Sequence, residues 1–349
     1  MQPISVAIVG LGWVGQNRHK PAFKRCKDFK LAGVIDPREG RAQALARAWH
    51  LPYAAASATL DRVPWLYQVQ ALALATPPAT HANLALHALS LGKHVLTEKP
   101  FALDEGQAHA MAKAARASKK TLAVVHNFQF SRAAQKLFRD LAKGRLGEVT
   151  RVAATQLGNP ARRLPLWYET LPLGLFYDES PHFFYMLNAL ASGPLELLSA
   201  KGIKSQTQNT PRSVHLFYKD QNGTPLTIDC QFDSALSEWF VRVSGTRATA
   251  FVDLFRDIYI LLPNDRAHNA PMILRTSARA ISQHLAAHIP NGFSFLRGTL
   301  DYGMDQVALR FARAIRTGQE DDKIGLAQAR AVHKLQQQAV EALQENLIV

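Results

Sequence analysis

The stretch Ser5–Gly15, SVAIVGLGWVG, decides the fold of the N-terminal part of this chain. Its first residues form a short apolar run rich in valine and isoleucine, which is typical of a buried parallel strand. Gly10, Gly12 and Gly15 follow with the spacing GxGxxG. Gly10 permits a tight turn, Gly12 lets the backbone approach a pyrophosphate, and Gly15 lets the next helix pack close to the sheet. The stretch therefore predicts a Rossmann phosphate-binding turn.

The residues beyond this turn fit the same interpretation. Asp36 ends a second apolar run about 20 residues after the glycines, where Rossmann proteins bind the adenosine ribose. Its carboxylate would repel a 2′-phosphate and so favours NAD, whereas Arg38 could pair with that phosphate and keeps NADP open. The predicted dinucleotide contacts of this region are Gly10, Gly12, Trp13, Val14, Gly15, Asp36 and Arg38.

Strand-like and helical segments alternate through the first third of the chain. This alternation is typical of an α/β fold with a doubly wound parallel sheet. The predicted strands are Ser5–Gly10, Leu31–Asp36, Ala71–Ala75, His94–Thr97 and Thr121–Val125. The predicted helices include Gly40–His50, His81–Leu91 and Asp104–Ser118.

After the first third of the chain, the predicted strands are longer and less apolar, and no long helices separate them. This pattern indicates a large, open and mostly antiparallel sheet. The candidates are Glu148–Gln156, Leu195–Ile203, Ser213–Tyr218, Leu226–Phe232, Trp239–Gly245 and Thr249–Asp253. We therefore predict a Rossmann domain at 1–124 and an α+β domain for substrate binding and oligomerisation at 125–349. Two C-terminal helices, Asp301–Thr317 and Gly325–Asn346, could pack back on the first domain.

The composition is that of a globular protein with an unusual charge. Its 349 residues are too many for one small core and indicate two domains. Lysine and arginine total 41 against 27 aspartates and glutamates, and this balance of +14 favours anionic partners. The basic residues are nevertheless scattered without any long run, so we predict no nucleic-acid partner.

The sequence carries no membrane-spanning, secretory or metal-binding signal. It has no run of about 18 apolar residues, and its start lacks a basic region followed by a long apolar stretch. Cys26 and Cys230 form no motif. We therefore predict a cytoplasmic protein without a bound metal or an integral membrane span.

One segment, Arg266–Leu300, contains no acidic residue. Ile281, Leu285 and Ile289 have helical spacing within it. We expect a helix that packs on its own domain or at a subunit interface. A basic amphipathic helix that rests on an acidic membrane or partner is the alternative. The basic side chains of the segment are Arg266, His268, Arg275, Arg279, His284, His288 and Arg297.

Further motifs follow the glycine turn in a fixed order. They are ATPP at 75–78, GKHV at 92–95, EKP at 98–100, GRLGEV at 144–149 and DESPH at 178–182. In this order the chain resembles the Gfo/Idh/MocA family of oxidoreductases, which act mainly on sugars, inositols and related polyols. The resemblance covers nearly the whole chain and is strongest over residues 5–150.

The resemblance implies roles for individual residues. Further dinucleotide contacts would be Thr76, Pro77, His81, Glu98, Lys99 and Asn127. The implied catalytic residues are Lys99, Asp178 and His182. Oxidation of a secondary alcohol requires loss of the hydroxyl proton, which a histidine can take near neutral pH. A lysine ammonium would stabilise the developing alkoxide.

Pro181 leaves the relation between Asp178 and His182 open. A helix that begins at Ser180 would leave Asp178 outside it. A helix that begins near Tyr177 would keep Pro181 in the first turn, and Asp178 could then orient the imidazole. We favour the second arrangement.

The predicted function is hydride transfer between NAD(P) and a secondary hydroxyl or keto group of a sugar, polyol or derivative, with an acidic substrate left open. One alternative is an enzyme that retains NAD and catalyses net isomerisation, elimination or glycoside hydrolysis. Another is a non-catalytic dinucleotide-binding regulator. By analogy with the family we also expect a homodimer or homotetramer. Arg162 and Arg163 could grip an acidic group, although solvated loop arginines are the simpler interpretation.

Overall fold

The computed structural model describes residues 2–297, 300 and 302–348. The chain forms two compact units. The first contains the residues up to Asn127 together with Met304–Lys334, and the second contains Phe128–Gly303 together with the residues from Leu335 onward. The chain therefore leaves the first unit, returns to it, and leaves it again. The predicted boundary between the Rossmann domain and the substrate domain, after residue 124, lies close to the point where the chain first leaves the first unit. The roles of the two predicted domains stay a prediction.

The first unit is built on a parallel sheet. Its strands are β1 (Ile4–Val9), β2 (Phe29–Asp36), β3 (Tyr53–Ala56), β4 (Ala71–Leu74), β5 (His94–Thr97) and β6 (Leu122–Val124). The helices along this stretch are α1 (Lys20–Arg25), α2 (Arg41–Trp49), α3 (His81–Ser90) and α4 (Glu105–Ser118). The six strands lie in the order β3-β2-β1-β4-β5-β6, and every neighbouring pair is parallel. The doubly wound prediction is confirmed.

Apolar strands and small helical residues make the core of this unit. β1 and β4 are buried almost throughout because parallel strands are covered on both faces. Alanines of α3 and α4 pack against them, together with Leu326 and Ala329 from the returning segment. β3 was not predicted, because its sequence YAAA carries no branched apolar residue.

The second unit is built on an eight-stranded sheet. Its strands are β7 (Val149–Leu157), β8 (Glu196–Ile203), β9 (Ser213–Lys219), β10 (Pro225–Gln231), β11 (Glu238–Gly245), β12 (Ala248–Asp253), β13 (Ile258–Pro263) and β14 (Leu347–Ile348). The helices that follow α4 are α5 (Arg132–Ala142), α6 (Leu175–Glu179), α7 (Pro181–Leu190), α8 (Ala270–Leu296), α9 (Met304–Thr317) and α10 (Leu326–Asn346).

The sheet of the second unit is mostly antiparallel, as predicted. Its order is β13-β12-β11-β7-β10-β9-β8-β14, and only β7 with β10 and β8 with β14 pair in parallel among the described strands. The sequence did not predict β13, β14 or the parallel pairing of β7. The predicted helix start at Asp301 lies outside the described residues, as do residues 298 and 299 of the acid-free segment. Within the described part of the chain, no helix combines the length and apolarity needed to cross a membrane.

Candidate functional site

The glycine turn after β1 has the close approaches that its spacing predicts. Gly10 has a φ of +91°, and a Cβ there would lie 2.5 Å from the carbonyl oxygen of Ala75. A Cβ on Gly15 would lie 2.2 Å from the carbonyl oxygen of Gly10. A Cβ on Gly12 would instead meet no atom within 4 Å. Two glycines thus let the chain pack tightly, while Gly12 leaves open the space that a pyrophosphate needs.

The helical run that follows the glycine turn has its N-terminal end next to that turn. The run begins at Trp13 and continues as one π-helical segment, Gly15–His19, into α1. The amides of its first turn have no acceptor within the helix, and its dipole favours an anion. Trp13 is 62% exposed, and the guanidinium carbon of Arg18 lies 4.8 Å from the centre of its ring. Val14 is half-buried beside it.

Asp36 ends β2 next to the turn, and its carboxylate joins the turn to the following loop. It accepts hydrogen bonds from the Leu11 amide at 2.8 Å and from the Arg38 side chain at 2.8 and 2.7 Å. Burial would raise the pKa of the Asp36 carboxyl, but these bonds outweigh it and lower the pKa below its usual value. The sequence predicted Asp36 and Arg38 as separate contacts, whereas the structure joins them as an ion pair.

His81 connects the ends of β4 and β5. It is fully buried, and its two ring nitrogens lie 2.9 Å from the carbonyl oxygens of Thr76 and Pro100. Desolvation lowers the pKa of this imidazole. His81 therefore holds the segments that carry Thr76 and Lys99. Pro77 is exposed at the start of the same loop.

Glu98 follows β5 and pairs with a residue that the sequence did not single out. Its Oε1 lies 2.8 Å from Nε2 of the buried His19. Burial alone would raise the pKa of Glu98, but the bond to His19 and its charge lower it. Oε2 accepts no hydrogen bond from the described residues, so it remains available to a ligand hydroxyl. The partners are 79 positions apart, and nothing in the local pattern links them.

The predicted residues of the first unit share one edge of its sheet. Backbone bonds continue past the strand ends, from the Ala75 amide to Val9 at 2.7 Å and from the Glu98 amide to Leu74 at 3.0 Å. Because all strands are parallel, the segments that follow them lie at the same carboxyl edge. That edge carries the glycine turn, Asp36, Thr76, Glu98, the half-buried Lys99 and, after β6, the buried Asn127.

The second unit places Asp178 and His182 on two short helices. α6 ends at Glu179 and α7 begins at Pro181, while Ser180 between them keeps a helical conformation. The favoured arrangement, a helix from near Tyr177 with Pro181 inside its first turn, is wrong in its start, because Pro181 opens a new helix. Asp178 is half-buried on the preceding helix.

His182 lies among aromatic rings and next to a hydroxyl. Its Nδ1 lies 2.8 Å from the hydroxyl oxygen of Tyr185, which also accepts the Phe128 amide at 3.0 Å. The rings of Phe128 and Trp239 lie 4.8 and 5.0 Å from the imidazole centre. The indole N–H of Trp239 is buried and has no partner among the described residues. Tyr185, which the sequence did not single out for this role, is thus one residue that orients the imidazole.

The arginines proposed for an acidic substrate differ in their surroundings. Arg162 donates to the buried Glu179 at 2.8 Å, and Glu179 also accepts from Gln156. Arg163 is exposed. Arg162 is therefore part of a buried polar cluster, and only Arg163 fits the description of a solvated loop arginine.

The second unit also contains a cavity away from the predicted site. A cavity of about 770 Å³ in the second unit is lined by residues of β7 to β10 and the C-terminal segment, and none of the predicted site residues lines it. Within residues 2–297, 300 and 302–348, no group of three or more histidine, cysteine, aspartate or glutamate side chains could hold a metal ion.

Comparison with known proteins agrees with this geometry. Residues 4–126 match the family model described as "Oxidoreductase family, NAD-binding Rossmann fold". Residues 4–126 are therefore similar to the NAD-binding Rossmann unit of an oxidoreductase family. That model is the one for Gfo/Idh/MocA, the family that the sequence motifs resemble, and it matches only residues 4–126 of the 349.

Similar proteins cover different shares of the chain. It is 34% identical over 149 residues to D-glucoside 3-dehydrogenase of Escherichia coli K12 (42% of this chain, 41% of the relative), and 29% identical over 187 residues to inositol 2-dehydrogenase of Rhizobium meliloti (54% of each). The chain thus spans only about half the length of these curated relatives. The structure of UDP-N-acetylglucosamine 3-dehydrogenase from Acidithiobacillus ferrooxidans superposes with a TM-score of 0.73 over 99% of both chains at 20% identity, which shows the shared fold.

Proposed function

We propose that this chain is an NAD-dependent dehydrogenase that acts on a CH–OH group of a carbohydrate-like substrate. The observation that carries the proposal is the carboxyl edge of the first sheet. There the open space at Gly12 and the available Oε2 of Glu98 offer a backbone cradle and a hydroxyl acceptor. A dinucleotide needs both, the first for its pyrophosphate and the second for a ribose.

The glycine turn and the helix start would hold the pyrophosphate, and Asp36 with Arg38 would meet the adenosine ribose. The Asp36 carboxylate favours NAD because it repels a 2′-phosphate. Arg38 already pairs with that carboxylate, so a 2′-phosphate would have to compete for its guanidinium. Glu98 and Asn127 would hold the nicotinamide end.

Lys99 and His182 would act on the substrate hydroxyl. When bound, the nicotinamide supplies the hydride acceptor. His182 would take the hydroxyl proton, with its ring held by the Tyr185 hydroxyl at Nδ1. Lys99 would stabilise the negative charge that develops on the oxygen. Asp178 is proposed as a further catalytic residue beside His182.

A carbohydrate-like substrate is supported by the relatives, whose names give a glucoside and an inositol as their substrates. The net charge of +14 favours a substrate with an anionic group. Arg163, which is exposed, is the better candidate to meet that group, because Arg162 is held by Glu179. A cytoplasmic location and a homodimeric or homotetrameric state belong to the same proposal.

The test is a panel of sugars, uronic acids and polyols with NAD and with NADP, read by the absorbance of the reduced cofactor. Lys99→Met and His182→Ala should each lower kcat by at least about a hundredfold, because general acid–base groups contribute on that scale. NAD affinity, measured by calorimetry, should change less than about threefold in His182→Ala, because His182 is proposed to act on the substrate and not on the dinucleotide. Matched controls are Lys113→Met and His109→Ala, whose side chains are exposed on α4.

Two results would contradict this proposal. If Lys99→Met and His182→Ala turn over like the controls, the catalytic assignment is wrong. The purified chain could instead keep NAD and show no net oxidation or reduction of that NAD with any substrate of the panel. This result would favour the alternative in which the enzyme retains its cofactor.

A further inference from the structure

The long helix α8 attaches to its unit through polar and small side chains. Gln283 exchanges hydrogen bonds with the backbone of Leu261 at 3.0 and 3.2 Å. Asn291 donates to the carbonyl oxygens of Arg256 and Asp257 at 2.8 and 2.7 Å. The face turned toward the unit consists of Met272, Thr276, Ala280, Gln283, Ala287, Asn291 and Ser294, all buried or half-buried.

The large apolar side chains of α8 point the other way. We call the apolar stripe the set Leu274, Ile281, Leu285, Ile289, Phe293 and Leu296, whose exposed fractions run from 55% to 83%. Their spacing of three, four or seven residues places them on one side of the helix. The helix therefore does pack on its own unit, but through its polar side, and the expected subunit interface stays a prediction. A stripe of this size on a water-facing helix indicates an interaction surface.

The charge around the apolar stripe has one sign. α8 contains no acidic residue. At 3.6 residues per turn, Arg275 and Arg279 lie on one flank of the stripe, and His284 and His288 lie on the other. Neither arginine makes an ion pair with the described residues. The nearest preceding carboxylate, Asp265, is paired with His268.

We propose that α8 binds the surface of an anionic membrane, with the apolar stripe buried at the boundary between headgroups and acyl chains. A helix of 27 residues is about 40 Å long, and the turns before Pro290 carry Leu274, Ile281, Leu285 and Ile289 along that plane. Exposed leucine, isoleucine and phenylalanine supply the apolar contact, and the arginine flank supplies attraction to lipid phosphates. This surface goes beyond the proposed dehydrogenase and does not depend on it.

A second copy of the chain fits the apolar stripe less well. Two α8 helices placed face to face would bring together two acid-free, cationic surfaces from chains that each carry a charge of +14. Like charges at such a contact oppose association. The anionic lipid surface is the occupant that complements both the apolar stripe and the arginines.

The test uses the full chain and vesicle flotation. Vesicles of phosphatidylcholine with phosphatidylglycerol should bind the protein on the order of a hundredfold more tightly than phosphatidylcholine alone, because each basic side chain adds electrostatic attraction. Binding should weaken as salt rises. Equal binding to both kinds of vesicle, or none, would overturn the proposal.

Paired variants separate the two contributions to binding. Ile281→Asp with Leu285→Asp, and Arg275→Glu with Arg279→Glu, should each weaken binding to the anionic vesicles on the order of a hundredfold. Lys27→Glu with Arg47→Glu makes the same change of charge on exposed residues of the first unit and should keep most of the binding. Circular dichroism should be the same for all variants, since every changed side chain is exposed.

A subunit contact gives a different set of results. Sedimentation velocity should show the same mass for the wild-type chain and the variant Ile281→Asp with Leu285→Asp. If this variant instead forms a smaller species, and the wild-type chain ignores vesicles, the apolar stripe belongs to a contact between copies and the membrane proposal fails.

Discussion

The carboxyl edge of the first sheet and the surroundings of His182 are built in different ways. At the edge, most of the contacts are made by backbone atoms. Gly10 and Gly15 approach other backbone atoms, and hydrogen bonds between amides and carbonyls join the strand ends. Around His182 the contacts are made by side chains: Tyr185, three residues further along the same helix, and Phe128 and Trp239, which are distant in sequence. The first kind of site can therefore be predicted from residue spacing, whereas the second depends on tertiary packing.

The largest expected effect tests the backbone side of this contrast. Gly15→Ala would force a Cβ to 2.2 Å from the Gly10 carbonyl oxygen and should lower the free energy of unfolding by about 3 kcal/mol or more. Gly12→Ala meets no neighbour and should change that energy by less than about 1 kcal/mol. It should still weaken NAD binding at least about tenfold, because the new methyl occupies the space beside the pyrophosphate.

Chemical denaturation and calorimetric titration with NAD would measure both changes. The contrast between the two glycines fails if Gly12→Ala unfolds the protein as strongly as Gly15→Ala. It also fails if both variants bind NAD like the wild-type chain.

The sequence predicted the first unit well because its signals are local. Apolar runs, a glycine spacing and Asp36 at a strand end each lie within a short segment, and a parallel sheet brings all strand ends to one edge. The pair of His19 with Glu98 was missed because its partners have no common motif. Tyr185 was not singled out as a partner of His182, although its spacing of three residues on one helix is a signal that could have found it. The parallel pairing of β7 with β10 was missed since strand spacing carries no information about direction.

A second, smaller effect tests the side-chain site. Tyr185→Phe removes the acceptor of the buried Phe128 amide and should lower the free energy of unfolding by about 1–3 kcal/mol. Under the proposed function it should also displace the pH profile of kcat, because the hydroxyl contacts Nδ1 of His182. The matched control is Tyr218→Phe. The Tyr218 hydroxyl is buried and has no partner among the described residues, so its removal should cost nothing.

Denaturation curves and pH–rate profiles of the two phenylalanine variants would decide the point. If Tyr185→Phe and Tyr218→Phe behave alike in both measurements, then the hydroxyl of Tyr185 neither supports the fold nor positions His182.

The smallest expected effect concerns a buried titrating side chain of the first unit, whose pKa should reflect the tight packing around it. Burial lowers the pKa of His126, just after β6, to about 4 from its usual 6.5. Between these values the unfolded chain binds a proton that the folded chain does not. Stability should therefore fall as the pH drops from 6.5 toward 4, by on the order of 1 kcal/mol per pH unit from this group.

His126→Gln should flatten that dependence, and His109→Asn, at an exposed position of α4, should leave it unchanged. Urea denaturation at several pH values gives the slope. An unchanged slope in His126→Gln would show that His126 is protonated in the folded chain.

The return of the chain to the first unit has a practical consequence for protein engineering. α9 contributes Phe311, which stacks on Phe29 at 5.8 Å, and Asp305, which forms a two-pronged bond with Arg25. A clone truncated after Asn127 would expose these surfaces to water and aggregate. A dinucleotide-binding unit for use in another protein must therefore contain two segments of this chain. Residues 304–334 would be joined by a flexible linker to the C-terminal end of the segment that ends at Asn127.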